Sequence, residues 1–407
     1  MSPPLTGHLD ADCFYVSAER VRDHFLLGKP VGVLGNQGAC VIAKSYEMKA
    51  TGVKTGTPIW DAVRLCPEGV YIKRDFRWYE VLSRQMLAAV CQFSPAVEYY
   101  SIDEFFFRAA PLPGLTMQET AEALRDHILK TVHVPVTVGI ARTKTLAKLV
   151  SDTAKPFGAL ALLDLDAERA LLEQQPITAV CGIADKRAAR LEPYGIKTCL
   201  DLAFADRLLV RDLLTRVGEA VWYELNGEPV LPLHTGRPPH KVLSRGGSLG
   251  GPTPDPDRLH GWLVRNLERL IEELEFHVVR AGALSVYVMH WDGTEGFGKT
   301  ELVSPTDRFD LLLEAARDCF RRAWVPGLAA SRMHLNASQL KRPGFVQLGL
   351  FDQVDERADE VARVKREVNG CVGRFALRSG ATLPLADVYW DAAQGYDICD
   401  IRGKTCF

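Results

Sequence analysis

Two adjacent acidic residues, Asp103 and Glu104, interrupt a stretch that otherwise has the composition of a buried β-strand. The stretch runs from residue 99 to residue 107, and three phenylalanines directly follow the acids. Aromatic and β-branched residues favour strands, whereas a buried carboxylate without a partner is costly. We therefore expect the pair to lie at the end of a strand or in a turn between strands, unless a cation offsets its burial.

A second acidic site lies near the N-terminus, where Asp10 and Asp12 end an apolar strand predicted over residues 6–12. Our hypothesis is that Asp10, Asp103 and Glu104 converge on metal ions. Carboxylates held together repel one another unless cations neutralise them, and their hard oxygen atoms suit Mg²⁺ or Mn²⁺. Two such ions can hold the attacking and the leaving oxygen of a phosphoryl transfer.

A simpler interpretation stays open for each acidic site taken alone. Asp12 or Asp10 would cap a helix predicted over residues 14–21, and the Asp103-Glu104 pair would lie in a solvated turn. Phosphoryl transfer from a triphosphate would also need cations. The candidates nearest in the predicted layout are Lys44, Lys49 and Lys155.

The composition limits the classes of protein to which this chain can belong. Its 407 residues are 47% hydrophobic and 25% charged, which predicts a soluble protein of several domains. Because the net charge is −2, a nucleic-acid partner must bind local basic patches. The chain shows no apolar run near the length of a membrane span and no signal peptide, so we predict a cytoplasmic location. The ten cysteines form no C-x-x-C pair, which argues against a zinc site.

Predicted strands and helices alternate up to about residue 165, and hairpin-like strand pairs among them indicate an α+β domain. Short helical segments follow, separated by Gly182, Gly195 and Gly218. The turn at residues 180–184 opens a basic helix, so its backbone N–H groups are candidates for holding a phosphate. A packed helix–turn–helix without a ligand is an equally good interpretation.

Residues 231–239 are rich in proline and polar residues and are predicted to be a linker. Beyond them the predicted order is strand–helix–strand–strand–helix–strand. Lys241, Arg245 and Arg332 would line one face of the resulting sheet, whereas a solvated polar face is the alternative.

Four motifs together resemble the Y-family, or translesion, DNA polymerases, most closely their bacterial UmuC-like branch. The motifs are Asp10-Ala11-Asp12-Cys13-Phe14-Tyr15, Val41-Ile42-Ala43-Lys44-Ser45-Tyr46-Glu47-Met48-Lys49-Ala50-Thr51-Gly52-Val53, Tyr100-Ser101-Ile102-Asp103-Glu104 and Ala154-Lys155-Pro156-Phe157-Gly158. Their order and spacing agree with the family, and the resemblance extends through about residue 340. A chance match to all four motifs is remote.

The resemblance implies an α+β multidomain fold shaped like a right hand. The palm would comprise residues 1–13 and 80–165, the fingers 14–79, a helical thumb with a helix–hairpin–helix 166–235, and a βαββαβ little-finger domain 240–341. Residues 342–407 would form a C-terminal tail.

The resemblance also implies roles for individual residues. Asp10, Asp103 and Glu104 would be the catalytic carboxylates that bind two Mg²⁺ ions, or Mn²⁺ in their place, with the Ala11 carbonyl as a further ligand. Phe14, Tyr15, Tyr46, Lys49 and Lys155 would contact the incoming dNTP, with Tyr15 as the steric gate against a ribose 2′-hydroxyl. Gly182, Ala184, Lys186, Lys241, Arg245 and Arg332 would contact DNA.

The segment 347–351 looks like the peptide that binds the bacterial sliding clamp, since its leucine and phenylalanine side chains can fill an apolar pocket. The contacting residues would be Gln347, Leu348, Leu350 and Phe351; a strand of a small C-terminal subdomain is the alternative. Two positions depart from the family. Lys49 stands where relatives often have arginine, and Ala43 where some have a hydroxyl residue. Lysine is a point charge and lacks the paired donors of a guanidinium group, so it would bind a triphosphate differently.

The sequence therefore predicts a template-directed DNA polymerase that performs low-fidelity translesion synthesis by two-metal nucleotidyl transfer. The implied partners are primer–template DNA, dNTPs, the sliding clamp and accessory mutagenesis subunits, with no membrane. One alternative is a catalytically silent accessory protein that tethers to the clamp and DNA; the three retained acids argue against it. Another is a different two-metal nucleotidyl enzyme, such as a cyclase with a similar palm, and the predicted little finger argues against that.

Overall fold

The computed structural model describes residues 4–35, 40–236, 239–343, 356–372, 376–389 and 398–399. These residues form two compact units. The first spans residues 4–236 and includes 398–399, and the second spans 239–389. The division falls inside the segment 231–239 that the sequence predicts to be a linker.

The first unit is a mixture of strands and helices, as its α+β pattern predicts. Its strands are β1 (Leu5–Ala11), β2 (Val31–Leu34), β3 (Val41–Lys44), β4 (Val70–Lys73), β5 (Val97–Tyr99), β6 (Glu104–Ala109), β7 (Val136–Ala141) and β8 (Ala159–Ala161). Its helices are α1 (Phe14–Arg22), α2 (Tyr46–Ala50), α3 (Ile59–Leu65), α4 (Phe76–Phe93), α5 (Met117–Val132), α6 (Lys144–Ala154), α7 (Leu165–Gln174), α8 (Asp185–Leu191), α9 (Cys199–Phe204) and α10 (Arg207–Leu225).

A five-stranded sheet with the order β5-β6-β1-β7-β8 forms the centre of the first unit. Leu9 pairs with Phe105 on one side and with Val138 on the other, so their side chains share one face. These three residues are fully buried in the core that includes the apolar sides of α4 and α5. The alternate residues of β1, including His8 and Asp10, point to the opposite face.

Helix α6 packs directly on this opposite face. Gly139 makes the close approach possible, because a Cβ atom there would lie 2.5 Å from the Ala147 carbonyl oxygen and 2.9 Å from the Ser151 Cα. His8 Nδ1 and Ser151 Oγ are 2.7 Å apart in a buried hydrogen bond between β1 and α6. These contacts hold α6 at a fixed, short distance from β1 and β7.

A second, smaller sheet contains β2, β3 and β4, and Ile398–Cys399 pair in parallel with β4 as a short strand. Helix α2 follows β3, and Ser45 caps it by accepting a hydrogen bond from the Met48 backbone N–H. Gly52 then adopts a φ of +90°, a left-handed conformation that commonly follows the last turn of a helix.

Helices α7 to α10 share a core with the apolar side of α6. Gly182 and Gly195 lie in turns with positive φ, as expected. The prediction that Gly218 separates two helices is wrong, because Gly218 is buried inside α10 against Leu214. The backbone of α10 is instead interrupted at Thr215, where φ is 66° and ψ is −171°.

The second unit has the predicted βαββαβ order. Its elements are β9 (Val242–Thr253), α11 (Pro256–Phe276), β10 (Ala281–His290), β11 (Glu295–Thr306), α12 (Phe309–Ala323), β12 (Ala330–Ser338) and α13 (Glu356–Val372). The sheet order is β11-β10-β12-β9, and α11 and α12 cover one face of it. Among the described residues of either unit, no helix is long and apolar enough to cross a membrane.

Part of the predicted C-terminal tail packs on α11. Leu385 is fully buried in the core of the second unit, and Thr382 beside it is fully buried as well. The buried carboxylate of Glu268 forms an ion pair with Lys365 of α13 and accepts a hydrogen bond of 3.0 Å from the Ser379 backbone N–H. Residues 356–372 and 376–389 therefore belong to the second unit as a structural layer. The segment 347–351 lies outside the described residues.

This layer can be tested with two leucines that differ in burial. We expect Leu385→Ala to lower the free energy of unfolding of the second unit by about 2–5 kcal/mol, since it leaves a cavity in the core. Leu383 is 68% exposed, so Leu383→Ala should change stability by less than about 0.5 kcal/mol. Urea unfolding followed by tryptophan fluorescence measures both. Equal effects would show that the segment is not part of the core.

Candidate active site

The Asp103-Glu104 pair lies at the closed end of a hairpin. Strands β5 and β6 pair in antiparallel fashion up to Tyr99 and Phe105. The turn between them is closed by the backbone N–H groups of Tyr100 and Ser101, which each donate to the Glu104 carbonyl oxygen at 3.1 Å. Asp103 lies in the turn and Glu104 begins β6, so the expectation of a strand end or turn is confirmed.

Asp10 faces Glu104 across the antiparallel β1–β6 pair, in which the two residues are direct partners. The Asp10 side chain is buried, and the Ala11 backbone N–H donates to the Asp103 carbonyl oxygen at 3.0 Å. The end of β1 and the turn of the hairpin therefore meet. The tertiary structure brings the two acidic sites of the sequence to one place.

Two lysines provide positive charge at these carboxylates. Lys155, the residue that follows α6, donates from Nζ to Asp10 Oδ2 at 2.7 Å and to Asp152 Oδ1 at 2.9 Å. Lys148, on α6 itself, forms an ion pair with Glu104. The like charges of the buried Asp10 and the partly buried Glu104 are thus each offset by one cation.

The electrostatics of the site follow from burial and from these ion pairs. Burial raises the pKa of Asp10 to about 7, the nearby Glu104 contributes to the rise, and Lys155 opposes it. Burial favours the neutral form of Lys148, yet the hydrogen bond to Glu104 raises its pKa overall. Burial, together with the positive charge of Lys148, lowers the pKa of His8 below its usual value.

The carboxylate of Asp103 has a different partner from the carboxylates of Asp10 and Glu104. Its Oδ1 accepts a hydrogen bond from Ser101 Oγ, and the hydroxyl of Ser101 also accepts from the Glu104 backbone N–H. Within the described ranges, no three His, Cys, Asp or Glu side chains are gathered into a metal-binding group. The structure therefore brings Asp10 and Glu104 together and leaves Asp103 beside them, with its carboxylate bound to Ser101.

The donor set nevertheless suits a divalent cation. The carboxylates of Asp10, Asp103 and Glu104 supply hard oxygen atoms, which Mg²⁺ and Mn²⁺ prefer. The raised pKa of Asp10 also indicates that its ionised form needs more positive charge than Lys155 provides. The residues present therefore fit the predicted ions.

Asp12 connects three parts of the site. Its carboxylate accepts hydrogen bonds from the Phe157 backbone N–H at 2.8 Å, from Thr137 Oγ1 at 3.2 Å and from the Tyr46 hydroxyl at 3.3 Å. The expectation that Asp12 caps α1 is wrong, because the capping position belongs to Cys13, which has a φ of 47° and no side-chain cap. Instead, Asp12 anchors the Lys155–Gly158 loop and α2 to the end of β1.

Tyr15 lies on a platform of aromatic rings. Its ring stacks on that of Tyr79 at 4.7 Å between centroids and an angle of 16°, and Phe76 lies 5.6 Å away. The Tyr79 hydroxyl donates to Glu19 Oε1 at 2.6 Å, which fixes the platform from below. Phe14 is buried in the core, and its contact with a nucleotide stays a prediction.

The predicted cations of the nucleotide site lie on two different elements. Lys49 is exposed in the last turn of α2, and Lys155 is at the end of α6. Lys44 donates to Thr55 Oγ1, and its pKa is lowered by burial and by the charge of Lys49. The Tyr46 hydroxyl is bonded to the Asp12 carboxylate, whereas Lys49 remains on the surface.

The turn before α8 is closed by a hydrogen bond from a side chain. Gly182 has a φ of +90°, and Arg187 donates from a guanidinium nitrogen to the Gly182 carbonyl oxygen at 2.7 Å. Ala184 precedes the helix as its N-cap without a side-chain hydrogen bond, and Lys186 is exposed. Contact of these residues with DNA stays a prediction.

The predicted basic face of the second unit is wrong in one respect. Arg245 pairs with Leu335 in the β9–β12 register, which places it on the face that the helices cover, and it forms an ion pair with Glu273 of α11. Arg332 pairs with Ser248 and is exposed on the other face. Lys241 precedes β9 and is exposed. The period-two alternation of the strands thus separates the two arginines.

Sequence reasoning missed three residues that organise the site. Lys148 neutralises Glu104, and the His8–Ser151 bond fixes α6 to β1. Lys155 follows Lys148 by seven positions, which is close to two helical turns, and it comes directly after the last residue of α6. This spacing was the signal available in the sequence.

Comparison with known proteins agrees with this geometry. The model of the impB/mucB/samB family matches residues 9–152, and that of the impB/mucB/samB family C-terminal domain matches residues 240–350. The two matches fall on the two compact units.

Proteins similar to this chain over most of its length are found in bacteria. The protein called DNA polymerase IV of Bacillus velezensis is 30% identical over 384 residues, which cover 92% of each chain. Protein UmuC of Salmonella typhimurium is 30% identical over 370 residues, which cover 86% of each chain.

Solved structures share the fold at lower identity. A Y-family DNA polymerase chimera, Dbh-Dpo4(243-245)-Dbh, is 20% identical with a TM-score of 0.68, and it covers 83% of this chain and 99% of its own. The insertion ternary complex of Dbh DNA polymerase is 20% identical with a TM-score of 0.54, over the same shares of the two chains. Both likenesses concern the fold alone.

The raised pKa of Asp10 gives the site a defined dependence on pH. Because the folded chain binds this proton more tightly than the unfolded chain does, the Asp10 contribution to the free energy of unfolding falls as the pH rises from about 4 to about 7. In EDTA, Asp10→Asn should therefore lose less stability over this range than the unaltered protein, as measured by urea unfolding. Asp126 is largely exposed, so Asp126→Asn should follow the unaltered protein. Parallel curves for all three proteins would contradict the assignment.

Proposed function

We propose that this chain, which belongs to the impB/mucB/samB family of Y-family DNA polymerases, is a template-directed DNA polymerase that copies damaged templates at low fidelity. The observation that carries the proposal is the pair of carboxylates, the buried Asp10 and the partly buried Glu104, which face each other across β1 and β6 with a lysine at each. A pair of like charges in a largely apolar setting costs free energy, and bound cations would offset this cost.

The carboxylates of Asp10, Asp103 and Glu104, with the Ala11 carbonyl, would hold divalent ions, Mg²⁺ or Mn²⁺, in the proposed two-ion reaction. When bound, such ions make a primer 3′-hydroxyl more acidic and offset the negative charge of a triphosphate and its leaving pyrophosphate. Ser101 would orient Asp103, since its hydroxyl already bonds this carboxylate.

Cationic side chains and one phenol would bind the triphosphate. Lys155 is held at Asp10 by a hydrogen bond of 2.7 Å, so its charge lies beside the carboxylates. Tyr46 is held by Asp12, whose carboxylate also fixes the loop after Lys155. Lys49 is exposed on α2 and free to approach a phosphate as a point charge.

Tyr15 would exclude ribonucleotides. Its ring is stacked on Tyr79, whose hydroxyl is bonded to the buried Glu19, so the ring has little freedom to withdraw. Asp103 lies close enough to contribute, after burial, to the raised pKa of the Tyr15 hydroxyl. A rigid ring close to the Asp103 carboxylate would collide with the 2′-hydroxyl of a ribonucleotide.

The proposed partners are primer–template DNA, dNTPs and a sliding clamp, and accessory mutagenesis subunits as in the UmuC-like branch. For DNA, the support is the closed turn at Gly182 with the exposed Lys186, and the exposed Arg332 on the open face of the second unit. For the clamp, it is the segment 347–351, whose apolar residues suit a pocket.

Primer extension on undamaged and lesion-bearing templates tests the activity. Asp103→Ala combined with Glu104→Ala should lower extension in Mg²⁺ by at least about a thousandfold, a loss of roughly 4 kcal/mol of transition-state stabilisation. Glu80→Ala combined with Asp126→Ala, which removes two exposed acids, should leave extension intact. Undiminished extension by the first double variant, or none by the unaltered chain, would refute the proposal.

The gate makes a separate prediction about sugar selection. Tyr15→Ala should raise incorporation of ribonucleotides relative to deoxynucleotides by at least about tenfold, because the ring no longer fills the space of the 2′-hydroxyl. Phe25, another aromatic residue of the same unit, is 84% exposed, and Phe25→Ala should not change the ratio. Steady-state kinetics with each nucleotide measure it, and an unchanged ratio for Tyr15→Ala would remove the assignment.

A further inference from the structure

The chain that leaves α10 is held by a buried carboxylate. Glu224 is fully buried, and its Oε1 accepts a hydrogen bond of 2.9 Å from the Leu231 backbone N–H. Its Oε2 accepts one of 3.0 Å from the backbone N–H of Thr145, in the first turn of α6. One carboxylate therefore ties the start of the predicted linker to the first turn of α6.

A second buried carboxylate holds the same segment three residues later. Glu98, on β5, accepts a hydrogen bond of 2.8 Å from the His234 backbone N–H. The same carboxylate forms an ion pair of 2.8 Å with Lys144, whose Nζ also donates to the Pro232 carbonyl oxygen at 3.4 Å. Lys144 lies over the ring of Phe106 at 4.6 Å, which keeps its cation in place.

Both carboxylates meet at the beginning of α6. Lys144 donates to the Glu98 carboxylate, and the Thr145 backbone N–H donates to the Glu224 carboxylate. Thr143 Oγ1 donates to the backbone carbonyl oxygen of Glu224 at 2.9 Å. Further along, the same helix carries Lys148, and Lys155 directly follows its last residue. One rigid element thus joins the exit of the chain to the candidate active site.

These contacts differ from what the sequence predicts for residues 231–239. A segment rich in proline and polar residues is expected to be a linker throughout. Leu231 to His234 are largely exposed, yet their backbone groups are bonded to buried side chains. Burying a carboxylate costs free energy. Two buried carboxylates that accept hydrogen bonds from the backbone of a surface segment therefore indicate that the position of this segment matters.

We propose that Glu98 and Glu224 are positioning residues that clasp residues 231–234 and so shorten the predicted linker at its start. The clasp removes four residues from this connection and shortens its reach by about 13 Å. A shorter connection raises the effective concentration of the second unit at DNA bound by the first, by about twofold for a change from eleven to seven residues. This last step rests on the proposed function.

Two variants at one exposed position test the clasp without altering the buried residues. His234→Pro removes the backbone N–H that Glu98 accepts, whereas His234→Ala removes the same side chain and keeps the N–H. Hydrogen exchange of the Leu231 amide should become at least about tenfold faster in His234→Pro and stay unchanged in His234→Ala. Equal exchange in the two variants would overturn the proposal.

A charge variant provides a second route. Glu98→Gln keeps the size of the side chain but loses the ion pair with Lys144, so exchange of the Leu231 amide should also accelerate. Glu228→Gln is the matched control, because Glu228 is exposed three residues before the clasped segment. Unchanged exchange in Glu98→Gln, or equal acceleration in Glu228→Gln, would count against the clasp.

Binding and turnover then separate a positioning role from a merely structural one. His234→Pro should weaken the Kd for primer–template DNA by about twofold, while kcat at saturating DNA stays the same. Faster exchange with an unchanged Kd would overturn the link to DNA. If the protein extends no primer, the proposed function fails, yet the exchange data still decide whether the clasp exists.

Discussion

The structure of the first unit depends on the burial of Asp10 opposite Glu104. Two carboxylates that are partners in an antiparallel pair repel each other and lose hydration, so this end of the sheet needs positive charge. Helix α6 and the residue after it supply this charge through Lys148 and Lys155. They can do so because Gly139 lets the helix backbone rest directly on the sheet.

The same helix links the acids to the rest of the unit. Its first turn holds the chain that leaves α10, its middle is bonded to β1 through Ser151 and His8, and Lys155 follows its last residue. Its outer side is part of the core of α7 to α10. A displacement of α6 would therefore affect the carboxylates, the helical region and the exit of the chain together, which explains why so many buried polar bonds converge on it.

Where the sequence-based predictions were wrong, a local pattern was overruled by a neighbour distant in the chain. Asp12 has the composition of a helix cap, but Thr137 and Phe157 offer its carboxylate better donors. The sequence pattern assigns Arg245 to a basic face, yet the register of β9 turns it towards Glu273. Gly218 is the exception, because it packs against the side chain of Leu214, four residues earlier in the same helix.

The sequence by itself determined the order of strands and helices, the hairpin that carries Asp103 and Glu104, the βαββαβ second unit and the family to which the chain belongs. Those features depend on periodicity, turn residues and short motifs, which are local. Only the tertiary structure decided that Lys148 neutralises Glu104 and that residues 231–234 are fixed. Ion pairs and buried hydrogen bonds join residues far apart in the chain, so they depend on which faces the fold brings together.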